Sequence, residues 1–203
     1  MNKEFGDLMG MSVVGNIMSR LQVKEKDRIN GVESEKVTVL VPKAISHGRI
    51  DHQELAEYEL KEGSKNIRCT VVDDIVIKLT TPYACALITE KDEDLVVPSY
   101  CMICRDFDEE EIDLDYLVGY LNTAYAREFF TAGVAATTNS MLKPKDVLSI
   151  PIPMLPMEEQ RMLGRLYRLS AEKQQILKKM LANEEALADS IITSAVREVV
   201  KHA

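Results

Sequence analysis

No stretch of this 203-residue chain approaches the unbroken apolar length that a membrane span needs, and Met1-Asn-Lys-Glu-Phe-Gly-Asp7 has no apolar signal core. A cytoplasmic protein is the expectation. Four cysteines (Cys69, Cys85, Cys101, Cys104) are too few and too scattered for a disulfide framework. Glycine-rich phosphate signatures are missing as well: Gly63-Ser-Lys65 lacks the upstream glycine of a phosphate-cradling loop, and no G-x-G-x-x-G follows a strand pattern. Cys101-x-x-Cys104 has no second pair. An offset of three on a strand points the two thiols to opposite faces, so buried thiols are expected there. The three histidines (His47, His52, His202) have no nucleophile or metal constellation around them, and His47-Gly48 reads as a turn.

What is present is the composition of a soluble globular protein, 46% hydrophobic and 29% charged, long enough for one ordinary core plus an appendage or for two small domains. The formal charge of −8 is unevenly placed. Between Glu90 and Asp115 stand eleven acidic residues against two basic ones, a local −9 that leaves the rest of the chain near neutral. Such a run reads most simply as a solvated loop, and it argues mildly against a nucleic-acid binder, which usually carries a basic field.

Along the chain, a short helix is expected around Phe5 to Met18. Strand-like runs follow at Val37 to Val41, stopped by Pro42, and at Ile67 to Thr70 leading into Val71-Val72. Asp73 to Thr80 alternates as a half-buried strand would, and Tyr83 to Thr89 and Leu95 to Arg105 continue the β-rich section. Asp73-Asp74 with Lys78 has a faint look of a metal-dependent nuclease strand, but Val76 stands where a second carboxylate belongs, so a catalytic Mg²⁺ would be poorly held. The period then changes: Leu117, Leu121, Tyr125 and Phe129 fall four apart, a buried stripe on one helix from Asp115 to Phe130. Gly133 to Ser140 reads as a small polar loop.

The most informative stretch is Ser149-Ile-Pro-Ile-Pro-Met-Leu-Pro-Met-Glu-Glu-Gln160. Pro151, Pro153 and Pro156 make a stiff extended connector, and Pro156 with Glu158 and Glu159 suits the first turn of a helix. Beyond it Leu163, Leu166, Leu169, Ile176, Leu177, Met180, Leu187, Ile191, Ala195 and Val199 recur at threes and fours. A continuous helix to the C-terminus would be a rod of roughly 70 Å. A partner helix is expected for its apolar stripe, with a hairpin near Ala182-Asn183 as the alternative. Residues 1–155 are therefore expected to form one domain and residues 156–203 a helical spacer, so truncation before Pro151 is predicted to leave a soluble domain. The fold class is α+β, a mixed α/β domain followed by a long C-terminal helix.

These residues resemble the DNA-specificity (S) subunit of type I restriction–modification systems in its single-domain, half-subunit form. Val39-Leu-Val-Pro-Lys-Ala-Ile-Ser-His-Gly-Arg-Ile-Asp51 is similar to the family's strand, Pro-Lys pair and turn. Val72-Asp-Asp-Ile-Val-Ile-Lys78 is similar to its Gly-Asp-Ile strand start, with Asp73 in place of the glycine. Val97-Pro-Ser-Tyr100, Ile112-Asp-Leu-Asp-Tyr-Leu117 and Tyr120-Leu-Asn-Thr123 follow in order, and Leu142-Lys-Pro-Lys-Asp-Val-Leu-Ser-Ile-Pro-Ile-Pro153 running on to Gln160 is the sharpest element.

The resemblance implies a non-catalytic domain that reads part of a bipartite double-stranded DNA site without cofactor or metal. It also implies a helix that docks methyltransferase subunits, and it leaves open whether a restriction subunit joins. Homodimerisation through Leu163, Leu166, Leu169, Ile176, Leu177, Met180, Leu187 and Ile191 would complete the site. DNA contacts are expected from three polar clusters: Thr137, Thr138, Asn139 and Ser140 with Lys143 and Lys145; Lys78, Thr80, Thr81 and Tyr83; and Lys43, His47 and Arg49. A fourth, Arg20, Lys24, Lys26 and Arg28, is partly offset by Glu25 and Asp27. Two other readings stand beside this one: a helix-mediated interaction protein with the same fold but no DNA reading, and a small metal-dependent nuclease.

Overall fold

The computed structural model describes residues 2–135 and 141–201, with side chains over 2–131 and 141–197. Ten strands and six helices follow one another in the described chain. The strands are β1 Asn2–Glu4, β2 Met9–Val14, β3 Ser34–Val39, β4 Ile45–Ser46, β5 Arg49–Ile50, β6 Ala56–Lys61, β7 Ile75–Lys78, β8 Cys85–Leu87, β9 Cys101–Phe107 and β10 Pro151–Pro153. The helices are α1 Met18–Leu21, α2 Glu25–Ile29, α3 Leu114–Leu121, α4 Ala124–Ala135, α5 Pro144–Leu148 and α6 Met157–Lys201. The expected α+β class with a long C-terminal helix is the class observed. By contacts the chain divides into two units, Met1–Arg168 and Leu169–Ala203.

In the first unit a four-stranded antiparallel sheet, ordered β2-β9-β7-β8, carries the core. Its centre is the apolar run Ile75-Val-Ile-Lys-Leu79. Ile75, Ile77 and Leu79 join a large cluster with Phe5, Leu117, Leu121 and Ile152, whereas Val76 joins a second cluster with Leu40, Ile45, Ile50 and Val97. β7 is therefore buried on two faces, not half-buried as its sequence suggested. A strand covered on both sides tolerates apolar residues at every position, which weakens the alternation signal. A smaller antiparallel pair, β3 with β6, contributes Val39 and Leu60 to a third cluster with Met18 and Val96.

Several expectations change. Phe5 to Met18 is not a helix but a 3-10 turn, Phe5–Leu8, followed by β2 on the sheet edge beside β9. Gly10 and the β-branched Val13-Val14 favour that pairing over a helix. Ile67 to Val72 is no strand: Cys69 makes a lone bridge to Val96, and Thr70 bonds the turn opposite it. β9 starts only at Cys101, because Pro98 turns the chain and its carbonyl accepts the Cys101 N–H (3.0 Å). The single helix expected over Asp115 to Phe130 is two. Asn122 bonds the backbone of Cys85, Thr123 Oγ1 accepts the Ala126 N–H, and the stripe breaks there, leaving Tyr125 59% exposed.

The proline connector is also more than a ramp. Pro151–Pro153 pairs antiparallel with Asn2–Glu4 in a two-stranded sheet, where the missing proline N–H groups are tolerated on an edge. Ile152 between them is fully buried. The carbonyl of Pro156 then accepts the first bond of α6, from Gln160 (3.0 Å). α6 runs without reversal past Ala182-Asn183, so the hairpin alternative is not the one adopted.

Candidate nucleic-acid interface

Three segments meet at Leu79. Its N–H donates to the Tyr100 carbonyl (2.8 Å), its own carbonyl accepts from the Leu142 N–H (2.9 Å), and Thr80 bridges to Met141. The result is a ledge at the end of β7 on which Thr81, Tyr100, Met141, Lys143 and Lys145 are exposed and Thr80 is half-buried. Lys143 immediately precedes α5, whose first residue is Pro144, so the two lysines straddle a fixed turn. No ion pair engages Lys143 or Lys145 among the described residues. Two of the clusters picked from the sequence are thus brought together through backbone bonds. Thr137, Thr138, Asn139 and Ser140 lie outside the described residues.

The remaining candidates are placed differently. Tyr83 is buried at 5% exposure with its ring 5.8 Å from that of Phe130, a core position. Arg49 is 8% exposed and donates to Asp115 Oδ1 at 2.8 Å, so using it on DNA would first break a buried ion pair. Lys43 is exposed but paired with Glu54 (2.7 Å), and His47 is an exposed turn residue at φ 51°. Lys78, the last residue of β7, is 9% exposed. In the fourth cluster Arg28 is paired with Glu59.

A second constellation, at the base of α6, was not assigned any role from the sequence. Gln160 is 2% exposed and fully used: its Oε1 accepts the Asp113 N–H (3.0 Å), and its Nε2 donates to the carbonyls of Leu155 (2.9 Å) and Glu111 (3.2 Å). Asp113 in turn caps α3 by accepting the Tyr116 N–H (2.8 Å). Tyr116 and Tyr120 donate their hydroxyls to the carbonyls of Pro153 (2.7 Å) and Pro151 (2.8 Å). Burial pushes the Tyr120 hydroxyl up to about 12, with Tyr125 and Tyr116 adding to it.

Gly164 lies against this cap, where an added Cβ would fall 2.3 Å from Asp113 Oδ1. Tyr167 lies over Gly48 and Gly119, and Gly48 has φ 77°, a conformation that also suits glycine. Asp115 carries Arg49 on one oxygen and Arg168 on the other (3.6 Å). The only visible sequence signal was the Glu-Glu-Gln ending of the proline segment.

The acidic window is only partly a solvated loop. Asp92 is buried and accepts from the Thr89 N–H, with His52 Nε2 at 2.6 Å; Glu111 pairs with Lys3; Asp113 and Asp115 serve the joint. Glu93, Asp94, Asp106, Asp108, Glu109 and Glu110 are exposed. The residue behind the nuclease comparison, Asp74, accepts two bonds from Arg105 (2.7 and 2.6 Å) and the Val71 N–H, which holds the Arg105 guanidinium above its ordinary value. Cys101 and Cys104 fall in the two different clusters, on opposite faces of β9, and burial pushes the Cys101 thiol up to about 12.

On α6 the stripe residues are exposed. Leu163 and Leu166 in the first unit are 38% and 66% exposed. In the second unit Leu169, Ile176, Leu177, Met180, Leu187 and Ile191 are each more than half exposed, as are Leu181, Ile192 and Val196. Among the described residues no helix is long and apolar enough to cross a membrane.

No family model matches the sequence. No curated protein matches it either. Solved structures do. One is a chain from the structural work on complex assembly and conformational transition of the type I R-M system, with 16% identity and a TM-score of 0.61 over 98% of this chain and 49% of that one. Another is the HsdS subunit from Thermoanaerobacter tengcongensis, with 15% identity and a TM-score of 0.57 over 90% of this chain and 45% of that one. The likeness is one of fold. This chain spans about half the length of the solved chains it matches.

Proposed function

We propose that this chain is a non-catalytic DNA-recognition half-subunit of a type I restriction–modification system, acting in the cytoplasm. In this reading residues 1–155 read part of a bipartite double-stranded target, and residues 156–203 form the spacer that pairs with a second copy and docks methyltransferase subunits. Whether a restriction subunit joins the assembly is left open by this reading. The observation that carries the reading is the match of nearly the whole chain to half of a type I R-M chain. The exposed apolar face of α6 supports pairing with a second helix. Two-fold pairing would impose an interrupted palindrome as the target. Exposed Thr81, Lys143 and Lys145 on the ledge, with half-buried Thr80 beside them, are the favoured DNA contacts. With a net charge of −8, the isolated chain should bind DNA weakly, and the assembly with cationic partners strongly and in a salt-sensitive way.

Co-purification with a methyltransferase subunit, followed by methylation of random-sequence DNA, tests this. Modification of an interrupted palindrome is the expected outcome. The acidic window between Glu90 and Asp115, of which Glu90, Glu93, Asp94, Asp106, Asp108, Glu109 and Glu110 are exposed, favours a second reading, a helix-mediated interaction protein of the same fold that reads no DNA. An intact complex that modifies nothing would decide for that one.

A further inference from the structure

Eight polar or charged residues are buried among the described residues, and seven of them meet partners. Asp27, Asp74 and Arg49 are in ion pairs with Lys61, Arg105 and Asp115, and Asp92 meets His52. Asn16, Thr70 and Gln160 hydrogen-bond to backbone. Lys78 is the eighth. It is 9% exposed, and no hydrogen bond or ion pair reaches its ammonium among the described residues. Directly opposite it on β9 stands Cys101, whose thiol burial keeps neutral, so the sheet supplies no counter-charge.

No fully buried side-chain nitrogen or oxygen lacks a partner among the described residues, so the Lys78 ammonium itself must reach solvent while its stem does not. The stem is ordered before any ligand arrives, unlike those of exposed Lys143 and Lys145, which lose rotamer freedom on binding. Its position is the end of β7, one residue before the bonds that join Leu79 to Tyr100 and Leu142. A recessed cation cannot enter a groove about 8.5 Å deep to touch a base edge. A protruding backbone phosphate can reach it.

We propose that Lys78 is a fixed phosphate seat, whose ammonium at the lip of the ledge takes one phosphate oxygen of a DNA strand and sets the register of the recognition unit on the duplex. This rests on the DNA-reading function above and names a contact within it. Thr80 and Thr81 present hydroxyls beside that phosphate, and Lys143 and Lys145 supply longer-range attraction. The alternative is a lysine whose stem only seals the end of the second core cluster.

The Lys78→Met and Lys78→Arg variants separate the two, because methionine keeps the stem and arginine keeps the charge. The full chain, alone and with its co-purifying methyltransferase subunit, is titrated against labelled random-sequence duplex DNA between about 50 and 200 mM salt. Lys78→Met is expected to melt at the wild-type temperature and to lose roughly tenfold in affinity, with a slope of log K against log salt shallower by about one. That loss should be uniform across sequences, and Lys78→Arg should retain the slope. An unchanged slope in Lys78→Met, an equal loss in both variants, or a loss confined to one base position overturns the seat while DNA reading stands. No salt-dependent DNA binding by the wild type in either form overturns the reading and the seat together.

Discussion

The first turns of α6 and the rest of the same helix obey different rules. From Met157 to Arg168 residue identity is dictated by the chain's own surface: Gln160 has three backbone partners, Gly164 has no room for a methyl group, and Tyr167 needs two glycines beneath it. From Leu169 onward Ala171 is still buried, but Leu169, Ile176, Leu177, Met180, Leu187 and Ile191 are each more than half exposed. Along that part of α6 the apolar residues form a face that the described chain leaves in water. The contrast separates residues that build the unit from residues that its own chain leaves exposed.

Cutting the chain on either side of the joint should have the largest effect. Truncation before Pro151 was expected from sequence to leave a soluble domain. The structure argues the reverse, because it would remove fully buried Ile152, strip β1 of its partner and orphan the Asp113 N–H and two tyrosine hydroxyls. The expected cost exceeds about 4 kcal/mol, enough to unfold a marginal domain. Truncation after Arg168 should retain a cooperative melt. Equal behaviour of the two truncations in circular dichroism would abolish the distinction between the two parts of α6.

Next comes the seam. On the proposed pairing of α6 with a second copy, replacing Leu177 and Leu187 with glutamate should raise the dissociation constant of that pair by at least ~100-fold, about 3 kcal/mol, while the first unit melts normally. Light scattering that still reports a dimer would place the interface elsewhere. Smaller is Gly164→Ala: its Cβ would collide with Asp113 Oδ1 and displace the cap of α3, for a loss of about 2 kcal/mol read from denaturant midpoints. Glu185→Ala, on the exposed surface beyond Leu169, should change almost nothing.

The smallest effect is on pH. Burial holds Cys85 and Cys101 at about 12, above the free thiol, so the unfolded chain loses these protons first. Stability from the two thiols is complete below about pH 8, falls as pH rises through 9, and levels only near 12. At pH 9 the loss is about 0.4 kcal/mol per thiol. Leu169–Ala203 contains no cysteine. Alkali should therefore weaken the near-ultraviolet signal of the first unit before the helical signal of the second, and simultaneous loss of the two would contradict this.

Much of the architecture was legible because it rests on local rules. The three prolines marked the connector, the positive-φ turn at His47-Gly48 was written in its residues, and the threes and fours beyond Leu163 marked a helix. The candidate interface was half legible. Polar clusters around Thr80 and Lys143 could be picked out, but nothing local said that Leu79 and Leu142 would share a hydrogen bond, or that Tyr83 and Arg49 would turn inward. The expected helix at Phe5 to Met18 failed for the same reason: β9, almost ninety residues away, supplied a better set of backbone partners than the segment could supply itself.

The amino-acid sequence by itself determined the proline-stiffened entry to α6, the apolar period of that helix and the acidic concentration between Glu90 and Asp115, because propensity, periodicity and charge act between near neighbours. Only the tertiary structure decided which polar groups are consumed and which are left over. Arg49 and Lys78 are alike on paper, a cation at or beside a short strand, yet among the described residues one is closed by Asp115 and the other meets no carboxylate. That difference depends on groups brought together from distant parts of the chain, and no local rule contains it.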